Sequence, residues 1–164
     1  MALEQAILTW VHLTSATIWV GGSLFIGAVL APILKTMSYS LEERLQIMIK
    51  VGRKFNKIAI PSLIILIVTG LYNSVSFLNN PELLFSSSYG SLLTIKIILV
   101  IAIIITYVIH IRIIRREVEE KIMTKKMSEK QIQKLRIKII ILGEVIVILS
   151  VAVLFMAALL KAGI

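Results

Sequence analysis

The sequence contains no cysteine and no aspartate, and its nine acidic residues are all glutamates. The first absence excludes disulfides, thiolate metal sites and cysteine nucleophiles. The second leaves few carboxylates for a metal centre rich in acidic ligands or for a P-loop ATPase. Only 16% of the 164 residues are charged, against about 25% in soluble proteins, and 58% are hydrophobic. These proportions argue against a soluble globular domain.

Four apolar stretches are each long enough to form a membrane-spanning helix, which takes roughly 20 residues. They cover approximately residues 6–34, 58–78, 92–114 and 139–160. The first stretch is too long for a secretory signal and has no basic residue before it, so we interpret it as a retained helix. The sequence therefore predicts one all-α domain over residues 1–164, an integral membrane four-helix bundle.

The basic residues indicate how the bundle is oriented. All lysines and arginines except Lys96 and Lys161 lie between spans one and two, or between spans three and four and at the adjoining end of span three. The positive-inside rule then predicts a protein of the cell membrane with both termini outside and both basic connections in the cytoplasm. Orientation alone accounts for the net charge of +9. Few aromatic residues interleave these charges, which argues against nucleic-acid binding.

Two capping-box patterns precede spans two and four. Ser40 is followed by Glu43, and Ser128 by Gln131, which is the spacing at which side chain and backbone cap each other at a helix start. Each pattern lies several turns before its apolar stretch. We therefore expect helices two and four to extend into the cytoplasm.

Four ionisable residues inside the spans are the most informative, because each costs a few kcal/mol in lipid unless it is paired or near an end. At about 1.5 Å per residue, they fall into two layers on opposite sides of the midplane. His12 and Lys96 share the outer layer, and His110 and Glu144 share the inner one. Lys96 could instead extend to the outer interface, and His110 with Glu144 could be a structural pair. His12 has no such simple alternative.

Polar stripes at helical spacing accompany these residues. They are His12, Ser15, Trp19 and Ser23 in span one, Ser62, Thr69 and Asn73 in span two, and Lys96, Tyr107 and His110 in span three. We expect the stripes to face the bundle interior. Small polar residues of this kind also serve ordinary helix packing in lipid.

Motifs in all four spans resemble the copper-resistance protein D (CopD) superfamily and, more distantly, the HemJ-type protoporphyrinogen oxidases. The motifs are His12 with Trp19-Val-Gly-Gly22, Gly52-Arg-Lys-Phe55 with Thr69-Gly-Leu-Tyr-Asn73, Tyr89-Gly-Ser-Leu-Leu-Thr-Ile-Lys96, and the entry from Arg136 to Glu144. The CopD resemblance implies binding or transport of copper at the membrane, with a copper-binding partner outside. His12 is then the central ligand.

Copper(II) accepts imidazole and copper(I) prefers thioether sulfur, so Met156 is the residue placed to join His12 as a metal ligand. The two polar layers further predict a path for an ion or a proton through Lys96, Tyr107, His110 and Glu144. The long CopD proteins carry further helices, so this chain could be one half of a homodimer.

The HemJ resemblance implies a different cofactor, one b-type haem or a porphyrin, with His12 and Lys96 as the matching positions. Haem needs one or two axial ligands and a roomy apolar pocket. His110 is a further candidate for cofactor binding. On this alternative the protein would be an oxidoreductase, whereas copper handling predicts no enzyme. A third alternative is a structural subunit of a larger membrane complex.

Overall fold

The computed structural model describes residues 2–37 and 40–163, and these residues are helical apart from short connections. Residues 1, 38, 39 and 164 of the predicted domain lie outside this part. In chain order the helices are α1 (Ala2–Leu24), continuing through a π-helical segment (Phe25–Leu30) into α2 (Ala31–Thr36), then α3 (Leu41–Leu78), α4 (Pro81–Ser86), α5 (Ser88–Ile113), α6 (Arg116–Met123) and α7 (Glu129–Ala162). In the described residues, four helical stretches are long and apolar enough to cross a membrane. The predicted all-α class with four spanning helices is confirmed.

Helices α3 and α7 begin at the two predicted capping boxes. The Ser40 N–H donates to Glu43 Oε2 over 2.7 Å, and the Glu43 N–H donates back to Ser40 Oγ over 3.2 Å. Ser128 and Gln131 form the same reciprocal pair, at 2.9 and 3.4 Å. Both helices therefore start well before their apolar stretches and continue through them without interruption.

The extended parts of α3 and α7 contribute to one buried cluster at what we call the basic end, the end of the bundle that carries the connections 35–57 and 112–138. A buried apolar cluster fills this end: Leu45, Ile49, Ile114, Ile122, Ile132 and Ile139. The short helix α6 contributes Ile122 and has one strongly apolar face. Burying that face holds α6 across the ends of the longer helices.

A second buried cluster occupies the middle of the bundle, where α1 packs along α3 and α5 packs along α7. Its members are Trp19, Val20, Ala59, Ile103, Tyr107 and Ile146. Gly22 lets α1 approach α3 here, because a Cβ at this position would overlap the ring of Phe55. Close approach through glycine is common between helices in lipid, where packing rather than the hydrophobic effect drives association.

The π-helical segment ends immediately before Pro32, which stands in the first turn of α2. Proline has no N–H, so the carbonyl of Ala28 loses the bond that an α-helix would give it. Local widening to π-helical bonding is one way to accommodate such a defect, and π-helical turns are frequent at functional sites. The widened segment borders the cavity described below.

Candidate functional site

His12 is held by a hydrogen bond to α3. Its Nδ1 atom lies 2.6 Å from Thr69 Oγ1, and the Thr69 hydroxyl donates its own proton to the Ile65 carbonyl over 2.6 Å. When the single Thr69 hydroxyl proton is donated to the Ile65 carbonyl, the oxygen accepts the hydrogen bond from His12 Nδ1–H. In this arrangement the neutral ring carries its lone pair on Nε2. A partner that orients a histidine in this way is typical of histidines that bind metals.

Lys96 lies near His12, as the matched depths predict. It is half-buried on α5, and its charge acts on the imidazole of His12. We call His12, Thr69 and Lys96 the His12 layer. Met156, the predicted second copper ligand, is partly buried on α7.

Trp19 and Tyr107 pack between the His12 layer and the basic end. Their ring centroids lie 4.8 Å apart in an edge-to-face arrangement, and Trp19 Nε1–H donates to Ser150 Oγ over 3.0 Å. Trp19, Tyr107 and Ser150 are 3%, 7% and 2% exposed. Trp19 lies about 10 Å along α1 from His12, given the helical rise. These three residues therefore close the middle of the bundle.

On the other side of Trp19 lies a cavity of about 410 Å³, which we call the basic-end cavity. His110 and Glu144 both border it, together with Tyr107 and Asn56. The Tyr107 hydroxyl donates to Asn56 Oδ1 over 2.9 Å. The structure thus brings the predicted inner residues to one space.

His110 and Glu144 share this cavity without forming the hydrogen-bonded pair considered from the sequence. His110 Nδ1 is buried and has no hydrogen-bond partner in the described residues. Glu144 is exposed on the surface of α7. The two side chains therefore do not form a structural pair in this arrangement.

The predicted polar stripes face inward with one exception. Ser15, Trp19, Ser62 and Thr69 are buried, whereas Asn73 is exposed. Asn73 lies one turn beyond Thr69, near the end of α3, where neighbouring helices no longer cover it. Its expected inward position was wrong.

Several polar contacts were not predicted from the sequence. Asn56 lies in the extension of α3, before the predicted span, although it follows Gly52 and precedes the buried Ala59 at helical spacing. Ser150 lies among apolar residues of span four, and no pattern in the sequence distinguished it from them. Spacing of i, i+4 and i+7 around Asn56 was the one available signal for this residue.

An ion-pair cluster at the basic end was also missed. Glu119 of α6 is buried, and its carboxylate pairs with the guanidinium of Arg53. Lys50 Nζ lies 3.7 Å from the same carboxylate. The cluster joins α6 to α3.

The described residues contain no group of three or more His or Glu side chains that could hold a metal ion. A metal at His12 would therefore need ligands of another type, such as a thioether or a hydroxyl.

Comparison with known proteins connects this site to a family. The family description copper resistance protein D (CopD) matches residues 49–160. An uncharacterized protein of Aquifex aeolicus (strain VF5) is 37% identical over 75 residues, which cover 45% of this chain and 50% of that protein. The chain thus spans about half the length of this curated relative, and no solved structure matches. Since the family match covers most of the chain, this multi-pass membrane protein belongs to the copper resistance protein D family.

Proposed function

We propose that this protein binds copper in the His12 layer and carries it across the cell membrane. The observation that carries the proposal is the hydrogen bond from His12 Nδ1–H to Thr69, which leaves the Nε2 lone pair available. An intramembrane histidine held in a fixed tautomer is an expensive feature for packing alone. Family membership supports copper as the metal.

Copper would bind His12 Nε2 as imidazole, with the Met156 thioether as the second protein ligand for the reduced ion. Lys96 opposes a cation while it is protonated, because like charges repel strongly in a medium of low dielectric constant. Copper binding is therefore coupled to loss of a proton from this layer, which is general for metal sites built from basic ligands.

Transport requires a route past Trp19 and Tyr107. The ion or proton path through Lys96, Tyr107, His110 and Glu144 remains a prediction, and on this route the edge-to-face contact of the two rings must open. The positive-inside rule predicts that both termini are outside, and in that orientation copper would reach His12 from an extracytoplasmic partner protein. A homodimer could supply further ligands.

The haem alternative is less well supported by the arrangement of space in the bundle. The basic-end cavity is bordered along the first span by residues from Ser23 onward, and His12 is not among its lining residues. A porphyrin bound by His12 and Lys96 would need a comparable space on their side of Trp19. These residues suit a single ion better than a macrocycle.

Copper analysis of the purified protein in detergent tests the proposal. We expect about one copper per chain after loading and dialysis, and loss of that copper in His12→Ala. His110→Ala is the matched control and should retain it, since His110 lies beyond Trp19. Uptake of copper into proteoliposomes then tests transport, with His12→Ala as the inactive variant.

Two results would contradict the copper proposal. A Soret band with sharp bands on reduction, lost in His12→Ala, would establish the haem alternative. Copper retained equally by the wild type and His12→Ala would mean that the metal binds elsewhere. A chain that bound neither copper nor haem would favour a structural subunit.

A further inference from the structure

The basic-end cavity has an opening toward the lipid. Two of its lining residues, Leu24 of α1 and Ile148 of α7, are 39% and 66% exposed on the apolar surface of the bundle. Gly27 lies in the π-helical segment between Leu24 and α2, and it is also exposed. A Cβ at Gly27 would have no neighbouring atom within 4 Å. A molecule dissolved in the bilayer can therefore reach the cavity from the side.

Asn56 and Tyr107 line the cavity, and the Asn56 side chain has hydrogen-bonding capacity that its contact with Tyr107 does not satisfy. Asn56 Oδ1 accepts the Tyr107 hydroxyl proton, and the described residues provide no partner for the two N–H donors of the Asn56 amide. His110 also lines the cavity, but its Nδ1 atom is fully buried. The two Asn56 N–H donors therefore favour a ligand that carries a hydrogen-bond acceptor.

The charges around the cavity favour an uncharged ligand. Its lining contains one lysine, Lys35, and one glutamate, Glu144, so the formal charges of these two side chains balance. Opposite charges that balance give no net attraction for an anionic head group. Most of the remaining wall is apolar, including the aromatic ring of Phe55.

From these features we infer that the basic-end cavity binds an uncharged, lipid-soluble carbonyl compound of the quinone class. The Asn56 amide donates to one carbonyl oxygen of the ligand, and the ring lies between the apolar walls near Phe55 and Tyr107. The cavity volume of about 410 Å³ lies within the range of about 300–1,000 Å³ found for small-molecule sites. This inference goes beyond copper binding, since it concerns residues on the other side of Trp19 from His12.

Tryptophan fluorescence offers a direct test, because Trp19 contacts Tyr107, which lines the cavity. Trp10→Phe leaves Trp19 as the single tryptophan of the chain. Titration of this protein in detergent with a short-chain benzoquinone should give saturable quenching of Trp19. Oleate is tested separately as a competitor. The concentration of oleate that displaces half of the bound quinone should be at least ten times the concentration of a second quinone that does so.

Two glycines provide a matched pair of variants. Gly27→Leu places a side chain at the lipid-facing edge of the cavity and should weaken quinone binding tenfold or more. Gly21→Leu makes the same change six residues earlier, at a position that also has open space but does not line the cavity. It should bind within twofold of the parent. Circular dichroism and size-exclusion chromatography in detergent report whether each variant remains folded.

A second pair tests the amide donors. Asn56→Leu removes the donors and should weaken binding about tenfold, which corresponds to about 1.4 kcal/mol. Asn73→Leu makes the same change on α3 at an exposed position outside the cavity and should bind within twofold of the parent. The inference is overturned if quenching does not saturate, if Gly27→Leu binds as well as the parent, or if oleate competes as well as a quinone.

These outcomes are independent of the copper proposal. Loss of copper in His12→Ala with unchanged quinone binding supports both. Quinone binding without copper binding would contradict only the function of the His12 layer. Copper binding without saturable quinone binding would contradict only the inference about the cavity.

Discussion

Gly22 of α1 faces the aromatic ring of Phe55 in α3 so closely that a Cβ at position 22 would overlap the ring. Gly21, its neighbour in the sequence, points to open space, with nothing within 4 Å of a Cβ. The two adjacent glycines therefore differ completely in what they contribute. Gly22 sets the distance between the two helices that carry His12 and Thr69, and Gly21 does not.

This difference predicts opposite results for two identical substitutions. Gly22→Ala should lower the free energy of unfolding by about 1–3 kcal/mol, because Phe55 must move or α1 must shift away from α3. Gly21→Ala should leave it unchanged or raise it slightly, since alanine is the better helix former. Unfolding in mixed micelles of increasing sodium dodecyl sulfate content, followed by circular dichroism, measures both. Equal stabilities for the two variants would show that the contact with Phe55 is not close.

The buried Glu119 predicts a second contrast, at the basic end. Glu119→Gln removes the charge that pairs with Arg53 and Lys50, and leaves the partly exposed Arg53 without its partner. We expect a loss of about 1–3 kcal/mol. Glu120 is the matched control, because it forms an exposed pair with Arg116 at 3.1 Å on the same helix. Glu120→Gln should cost at most about 0.5 kcal/mol.

Cleavage by trypsin within residues 121–126, from the end of α6 into the connection to α7, tests this prediction at α6 itself. If Glu119 holds α6 against α3, Glu119→Gln should be cut faster than the wild type, and Glu120→Gln at the same rate. Faster cleavage of both variants, or of neither, would mean that the apolar face of α6 alone fixes its position.

The fold could be predicted from the sequence because its causes are local. Apolar length predicts the four spans, and the Ser40 and Ser128 capping boxes predict the starts of α3 and α7. The layers of His12 with Lys96 and of His110 with Glu144 follow from depth along helices of known rise. Depth, however, says nothing about which side chains touch. His110 and Glu144 share a depth and a cavity without a hydrogen bond between them.

The missed contacts depend on how the helices rotate about their own axes, which depth does not determine. Asn56 and Glu119 meet Tyr107 and Arg53 only because α3, α5 and α6 pack in one particular way. Residues of the π-helical segment before Pro32 also line the cavity. Pro32 was visible in the sequence, but its effect on the neighbouring backbone was not, since proline can also bend a helix or end it.

Thr69 predicts a test of the His12 site that does not touch His12 itself. Thr69→Val keeps the shape of the side chain but removes the oxygen that accepts from His12 Nδ1–H. The ring then loses its fixed tautomer, so copper affinity should fall about 10- to 100-fold. Thr106→Val is the control, because Thr106 also donates to the carbonyl four residues before it, over 2.8 Å, without contacting the His12 layer. Equilibrium competition with a chelator of known affinity measures both, and equal losses would argue against an orienting role for Thr69.

Lys96 predicts how copper binding depends on pH. In the wild type, binding displaces a proton from Lys96, so affinity should rise with pH. Lys96→Leu removes the charge without adding a metal ligand, which should raise affinity at pH 7 about tenfold. The slope of log affinity against pH gives the number of protons released per copper bound, and this number should fall by one. Competition titrations at pH 6, 7 and 8 measure this slope.

The control for Lys96→Leu is Lys161→Leu. Lys161 is exposed at the end of α7, so its replacement should leave both affinity and slope unchanged. A loss of copper in Lys96→Leu would contradict the electrostatic argument, because it would mean that the amine binds the metal rather than repelling it. In that case the site would consist of His12 Nε2 and Lys96 Nζ. The haem alternative uses the same two residues as axial ligands, so the absorption spectrum of Lys96→Leu distinguishes an amine ligand to copper from an amine ligand to haem.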